Sequence, residues 1–416
     1  MASQYYSTST NTGFNAALKE FYLPRLVSTI NEKRILMSRL ERDSKSTDVS
    51  GRHARLPVNI APSQAIGARA DADGGPSLPD PQKQTFVELM VGYAFNYGTV
   101  RITHPVMQAS KNDRGAFIKA IGAEMDGIRR DLKNDINRQL FGDGTGVLGR
   151  ADGGVSNDTA LTMQAGHKVV KNSFLDANEA LNAVTPSLDG IQATAVSGNS
   201  VTLASNQTMA DGDYVFRKGS VNNEMMGLLG IVDSYAASTT FKQTLQAIDR
   251  SEFPEWDAQV FENSGTARAI TEDLLDQAIL DTQSSQEGET SLMVTSPTQF
   301  RKIGQLLTPD RRYSPSMELD GGFTAINWAG VPIVWDRDCP RMGQFVNNAA
   351  DTDMLFGLDE SQLMIFQLAD WDFDDTDGNV LHRRQDVAAY DATLYYYANL
   401  GCMDPSKQFV IRDLSR

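Results

Sequence analysis

Seven apolar side chains set the clearest rhythm in the chain: Phe117, Ile121, Met125, Ile128, Leu132, Ile136 and Leu140 follow one another at steps of four and three. That spacing puts one apolar stripe on an α-helix with charged residues opposite, and it predicts a helix over 111–141. At roughly 1.5 Å per residue such a helix runs about 45 Å, well beyond the usual length of about 11 or 12 residues. It is therefore expected to cross a whole domain as a spine. Asp113 stands where an N-cap belongs, and Gly142 stands where a left-handed residue would close the helix. Asp131, Lys133, Asp135 and Arg138 fall on its solvated or intersubunit side.

The pattern changes on both sides of the spine. Phe14, Leu18, Phe21, Leu26, Ile30, Leu36 and Leu40 keep mostly helical spacings, but Pro24 interrupts them, so two short helical pieces on an arm are expected. "RLPVNI" (55–60) and "TFVELMVGYAFNYGTVRIT" (85–103) read as strands around a tip rich in Gly, Pro, Ala and Asp. This predicts a long two-stranded hairpin, and a ribbon of that kind is marginal alone, so it must rest on something else. After the helix, residues 191–220 alternate short β-branched runs with Gly, Asn and Asp turns, which predicts a small inserted sheet; 221–262 read as mixed strands and loops. From Thr271, "TEDLLDQAILDTQSS" and "PTQFRKIGQLLT" read as helices, and "SLMVTS", "GVPIVWD" and "MLFGLDESQLMIFQ" as strands. Residues 265–390 thus form an α/β-like unit, followed by a long aromatic strand, "AYDATLYYYANLGCMD", and then by "KQFVIRDL".

Composition narrows the partners. With 416 residues, 41% of them hydrophobic, the chain can bury a sizeable core and is expected to split into two or three packing units. No stretch reaches the roughly 20 apolar residues that cross a bilayer, and the start lacks a secretory pattern, so the chain is expected to remain in the cytosol where it is made, with no membrane partner and no role as an exported adhesin. Cys339 and Cys402 are too few and too far apart for a disulfide framework and are expected to be reduced and buried. A formal net charge of −15 argues against a chain that wraps nucleic acid. The charge is unevenly spread: residues 25–55 carry a net +4, and 351–391 a net −9. Such segregation is either a solvated surface pattern or complementarity between copies of one chain.

The candidate chemistry fails on spacing. His53, His104, His167 and His382 form no zinc pattern, and no catalytic constellation or cofactor site emerges. "WDFDDTDGN" (371–379) misses the calcium loop, because Thr376, Asp377 and Arg383 occupy its fifth, sixth and twelfth positions; a polar hairpin turn is expected. "GDGTG" (142–146) has no following lysine to hold a phosphate, so Gly142, Gly144 and Gly146 are expected to be a helix stop.

The arm, the hairpin with a Gly/Pro tip, the spine ending in "INRQLFGDGTG", the "VTSPTQFRKI" turn, "GVPIVWDRDCP" and the terminal "YDATLYYYANLGCMDPSKQFVIRDL" together resemble the major capsid protein of tailed double-stranded DNA bacteriophages. The resemblance implies an α+β capsid fold: arm 1–44, extended loop 45–103, peripheral domain 104–185, 245–264 and 391–416, axial domain 265–390, and a β-rich insertion at 186–244. It implies a non-enzymatic coat subunit without cofactor that forms hexamers and pentamers of an icosahedral shell in the host cytoplasm and encloses double-stranded DNA. The implied partners are further copies, a separate scaffolding protein, since about forty residues before the loop leave no room for a fused one, a portal protein and a decoration protein. Arg34, Arg39, Arg42, Arg52, Arg55, Arg69 and Lys83 are candidate intersubunit contacts, with Arg34, Arg39 and Arg42 also able to touch DNA. Lys83 is the one lysine near the hairpin tip, so closure without covalent cross-links is expected. Encapsulin shells share this fold and remain the alternative.

Overall fold

The computed structural model describes residues 35–43, 49–50, 53–63, 65–69, 78–104, 114–181, 183, 186–307, 317–319, 323–375, 380–383 and 387–416, with side chains at 35, 41–43, 49–50, 114–123, 317–319 and 323–324 left aside. The spine helix spans Arg114–Gln139; the expected cap Asp113 and the side chains of Phe117 and Ile121 lie outside the described set. Along the rest of the stripe burial deepens toward the C-terminus: Met125 and Ile128 are partly buried, whereas Leu132, Ile136 and Leu140 are fully packed. The opposite face is not all solvated as the pattern suggested, because Asp135 and Arg138 turn inward as an ion pair at 3.0 Å.

The helix stops differently from the expected left-handed closure at Gly142. Phe141 N–H donates to Arg138 O (3.1 Å) and Gly142 N–H to Gln139 O (2.9 Å), a tightening of the last turn. Positive φ falls instead on Gly144 (80°) and Gly146 (85°), beyond an Asp143 carboxylate that accepts the Thr145 N–H at 3.1 Å. The carbonyl of Leu140 is satisfied from far along the chain by Leu228 N–H at 2.7 Å, at the start of the short helix Leu228–Ile231. Gly227 permits that approach, since a Cβ there would overlap the Gln139 carbonyl.

Beneath the spine lies a sheet in which Ala389–Cys402 pairs antiparallel with Ala94–Thr103 on one edge and with Leu363–Phe373 and His382–Arg383 on the other; Glu41–Asp43 adds in parallel beside Leu363–Phe373. Leu394, Tyr396, Ala398 and Leu400 point into the core, and the intervening residues point away, as strand periodicity requires. Gly98 lets the helix settle, because a Cβ there would stand 2.9 Å from Ile128 Cγ1. Trp371 stacks on Tyr396 with centroids 4.0 Å apart, and the Lys133 ammonium lies 5.5 Å from the Trp371 ring centroid. Leu363–Phe373, expected within the axial unit, is thus part of the sheet that carries the spine.

A seven-stranded sheet forms the second layer, in the order Gln259–Phe261, Phe409–Ser415, Thr352–Leu358, Leu292–Thr295, Val331–Trp335, Phe323–Trp328 and Met317–Leu319. Its central strands are buried on both faces, and successive residues serve two different cores. Met293, Ile333, Leu355 and Ile411 face the helices Glu272–Gln286 and Pro297–Leu306; Val294, Val334, Phe356 and Val410 face the spine side. Both helices are capped as their sequences indicate, Leu274 N–H donating to Thr271 Oγ1 (3.2 Å) and Gln299 N–H to Ser296 Oγ (3.3 Å). The terminal strand Phe409–Ser415, expected beside the spine, belongs here: Phe409, Ile411 and Leu414 pack on one face and Val410 on the other. Below it Arg412 and Asp233, both fully buried, pair at 2.8 Å.

The small β-unit has a separate core and draws its strands from residues 147–217. The order is Val147–Arg150, Tyr214–Arg217, Phe174–Asn178, Leu188–Ser197, Ser200–Met209, Val155–Thr162. The ring closes where Gln164 N–H donates to Arg150 O (2.8 Å) and Lys168 N–H to Leu148 O (2.7 Å). It begins well before the expected insertion at 186, because "VSNDTALT" is too polar to announce a strand, and it ends before 244.

These parts meet at the end of the spine. Arg138 donates to Asp135 (3.0 Å) and Glu224 (2.6 Å), and Arg217 from the β-unit reaches the same Asp135 at 3.0 Å. Burial pushes the Asp135 carboxyl up, but the two guanidiniums outweigh it and hold it below the usual range; burial dominates at Glu224 and raises it. At the neighbouring helical position Asn137 donates to Asp336 (3.3 Å) and Asp338 (3.0 Å), just past the strand Val331–Trp335 of the seven-stranded sheet. Burial, joined by the Asp338 charge, pushes Asp336 up to about 6 despite its hydrogen bonds. A carboxyl raised on folding contributes stability below its unfolded value, near 4, and loses it as pH climbs past about 6. Asp336→Asn removes that loss, so its stability relative to the native chain should be about 1 kcal/mol greater at pH 7.5 than at pH 5 in paired urea titrations. An equal difference at both pH values would contradict this assignment.

Candidate assembly surface

The hairpin consists of His53–Ala61 and Thr85–Gly92, in register from His53 opposite Gly92 to Asn59 opposite Phe86. Cross-strand pairs share a face, so Ala54–Val91, Leu56–Leu89 and Val58–Val87 make an apolar side, and Arg55–Met90, Pro57–Glu88 and Asn59–Phe86 a mixed one. The root is anchored: Ala54, Leu89 and Val91 are buried, and Met90 N–H donates to Gln246 O at 2.9 Å. Val91 and Phe366 also sit over Gly401, where any Cβ would collide with the Phe366 ring. Burial falls away toward the tip, where Phe86 is 65% exposed and Ile66 and Leu78 more so. Residues 70–77 of the tip lie outside the described set. The ribbon therefore spends its apolar side at the root and carries uncovered apolar groups outward.

The candidate contact residues scatter over this surface. Arg39 is held within the chain by two 2.6 Å hydrogen bonds to Glu360, and Arg55 pairs with Glu88 across the hairpin at 3.4 Å. Arg69 and Lys83 are exposed beside the tip. Arg42 pairs through its backbone with Ile365, its side chain being outside the described set, as are Arg34 and Arg52 entirely. Gly142, Gly144 and Gly146 stay at the spine's end, remote in role from the hairpin.

The outward face of the spine-bearing sheet is a second surface, one that the sequence reading did not single out. Phe95 stands opposite Tyr397, Tyr97 opposite Tyr395 and Arg101 opposite Asp391. Phe95 and Tyr97 meet Tyr397 edge-on at 5.0 and 5.6 Å, and Tyr395 stacks on it at 5.3 Å. Phe95 and Tyr97 are 55% and 56% exposed. Partial burial, with the hydrogen bond and negative potential of Tyr97, pushes the Tyr397 phenol up to about 12; partial burial and the carboxylates of Asp372, Asp375 and Asp374 raise Tyr395. The signal was present as "AFNYG" and "LYYYA": an aromatic at every second position on one strand, and on both faces of the other, leaves one set outside.

Among the described residues no group of three or more His, Cys, Asp or Glu could hold a metal ion. The acidic stretch 371–375 ends the strand Leu363–Phe373, and 376–379 lie outside the described residues. Cys339 and Cys402 are buried and unbridged, and burial raises both thiols.

No protein-family model matches the sequence, and no curated protein matches it. Solved structures do share its fold. A chain of the cyanophage A-1(L) capsid asymmetric unit is 13% identical, superposes with a TM-score of 0.58, and covers 96% of this chain and 98% of its own. A chain of the holo-SrpI encapsulin complex from Synechococcus elongatus PCC 7942 is 10% identical with a TM-score of 0.50, covering 97% of this chain and 95% of its own. The chain has the mixed α+β fold of phage capsid and encapsulin shells over nearly its whole length.

Exposure at the tip and burial at the root separate what folding needs from what it leaves over. Phe86→Asp should leave the unfolding free energy of the isolated chain, from urea titration, within about 0.5 kcal/mol of the native value, whereas Leu89→Ala should cost about 2–5 kcal/mol. Comparable losses from both would mean that the tip packs against its own subunit.

Proposed function

We propose that this chain is the major coat subunit of a tailed bacteriophage, assembling as hexamers and pentamers into an icosahedral shell around double-stranded DNA. The observation that carries the reading is the near-complete coverage of a cyanophage capsid subunit by a chain whose hairpin exposes Phe86, Ile66 and Leu78 beyond its own body. An apolar projection that the subunit leaves uncovered is what a heterologous contact between identical neighbours requires. The coarser statement, a shell-type structural subunit, accords with surfaces that gather aromatic and ionic contacts.

The assembly would take place in the bacterial cytoplasm with a separate scaffolding protein and a portal, followed by packaging and, in some shells, decoration. DNA is then a partner by enclosure. The chain's charge of −15 supports a weakly binding inner wall, with Arg34 and Arg42 as its candidate basic contacts, Arg39 being already held by Glu360. Arg69 and Lys83, exposed beside the tip, are the hairpin's candidates for contact with a neighbour. The encapsulin likeness supports a second reading, a shell of the same fold that encloses protein cargo.

Electron microscopy of particles purified from the chain's native source separates the two. Closed shells that protect double-stranded DNA from nuclease and carry a tail at one vertex are expected; tail-less shells filled with protein would establish the second reading, and an absence of shells would overturn both. On denaturing gels those particles should release an intact monomer band, and a ladder of covalent oligomers would contradict non-covalent closure.

A further inference from the structure

Beyond the hairpin tip, two places on the described surface set a pair of exposed large apolar side chains beside charge, and the charges are of opposite sign. The first is the outward sheet face, where Phe95 and Tyr97 lie uncovered against Tyr395 and Tyr397. Its rim is acidic: Asp372 stands opposite Tyr395 in register, and Asp370 and Asp375 are exposed around the same strand end. The one guanidinium on that face, Arg101, is engaged by Asp391 at 2.8 Å. The second place is an end of the small β-unit, where Val170 and Phe174 are 56% and 53% exposed. Backbone bonds gather it, Ser173 N–H donating to Val170 O (3.3 Å) and Lys218 N–H to Phe174 O (2.9 Å). Lys171 and Lys218 are exposed beside them. Lys218 meets Asp189 at 3.7 Å, but both side chains are more than half exposed, and such a pair contributes little and exchanges partners readily.

We propose that the Val170–Phe174 end of the β-unit docks on the aromatic face of a second copy of the chain. Phe174 and Val170 cover the rings, while the ammoniums of Lys171 and Lys218 meet the acidic rim and the tyrosine faces. The chain's own face lies on the wrong side for this contact. Asn96 and Gly98 point at the spine, through Gln139 at 2.9 Å and through Ile128, so Phe95 and Tyr97 on alternate positions point away from it. The β-unit is fastened on the spine's side, by Arg217 on Asp135 at 3.0 Å. The sheet therefore stands between that attachment and the chain's own aromatic cluster, and the β-unit meets the cluster of another copy. Two different patches make the contact heterologous, so each copy offers one and receives one, and the contact repeats from copy to copy. The inference rests on the shell reading in that it needs copies side by side, and it gives the β-unit a role within that reading.

The test uses the full chain with a benzoyl-phenylalanine photo-cross-linker in place of Phe174, and in a second preparation in place of Val170, both exposed positions. Copies labelled with 14N and 15N are mixed before assembly, irradiated and analysed by peptide mass spectrometry, with electron microscopy of the same sample. The expected products join the probe to residues 93–103 or 390–400 in mixed-isotope pairs. Their yield should fall severalfold in K171E/K218E and in D372K/D375K, and return when all four changes stand in one chain, because the two patches are then complementary again. A fourfold variant no better than its parents, cross-links to other parts of the chain, same-isotope pairs alone, or no cross-links from either probe would overturn the proposal. Shells that form with any of those results sink this inference and leave the shell reading standing. Mixed-isotope pairs to the aromatic strands in a sample without shells uphold the contact and sink the shell reading.

Discussion

A buried arginine has to be answered by carboxylates, and Arg138 at the end of the spine helix sets that requirement for the whole subunit. Its partners come from different places: Asp135 from its own helix, Glu224 from the segment that returns after the small β-unit. Arg217 from the β-unit then shares Asp135, and Asn137 at the neighbouring helical position reaches Asp336 and Asp338, just past a strand of the seven-stranded sheet. Removing one member of such a group leaves an uncompensated buried charge, a change that typically costs about 3–5 kcal/mol. The spine is consequently more than a strut. Its last two turns fix where the β-unit and the large sheet sit relative to the hairpin.

Around that junction, local chemistry resolves each awkward backbone group. Leu140 O is left over by the helix, and Leu228 N–H fills it because Gly227 has no side chain to keep the two segments apart. Arg250, fully buried, donates to the carbonyls of Gly230 (2.9 Å) and Ile231 (2.7 Å) and so covers the end of the short helix that follows. At this junction the leftover backbone groups meet specific partners, while the hairpin tip and the aromatic face are not covered by the fold. That contrast is the physical distinction between the parts a subunit keeps for itself and the parts it offers to others.

Much of this was legible in the chain. The three-and-four stripe located the spine, alternation located the hairpin strands, and Thr271 and Ser296–Pro297 announced two helix starts. What escaped was decided by long-range pairing. Asp135 and Arg138 look solvated when the helix is drawn alone, and only Glu224 and Arg217, about eighty residues away, pull them inward. Polar strands such as Val155–Thr162 carry no alternation and are strands because Ser200–Met209 lies beside them. Gly142 carries the expected residue type without the expected conformation, since Asp143 and Thr145 move the turn two residues on. The aromatic face was written in plain alternation, yet whether it is outside depends on which side the spine covers.

The place of Phe409–Ser415 bears on how the subunit is made. This strand lies between Gln259–Phe261 and Thr352–Leu358, so both of its neighbours leave the ribosome before it and wait with an open slot in the sheet. Until it arrives, two unpaired strand edges stay available to other chains, and a product interrupted before Phe409 never closes them. The edge strand Gln259–Phe261 thus joins the largest sheet only through Phe409–Ser415, a partner made some 150 residues after it.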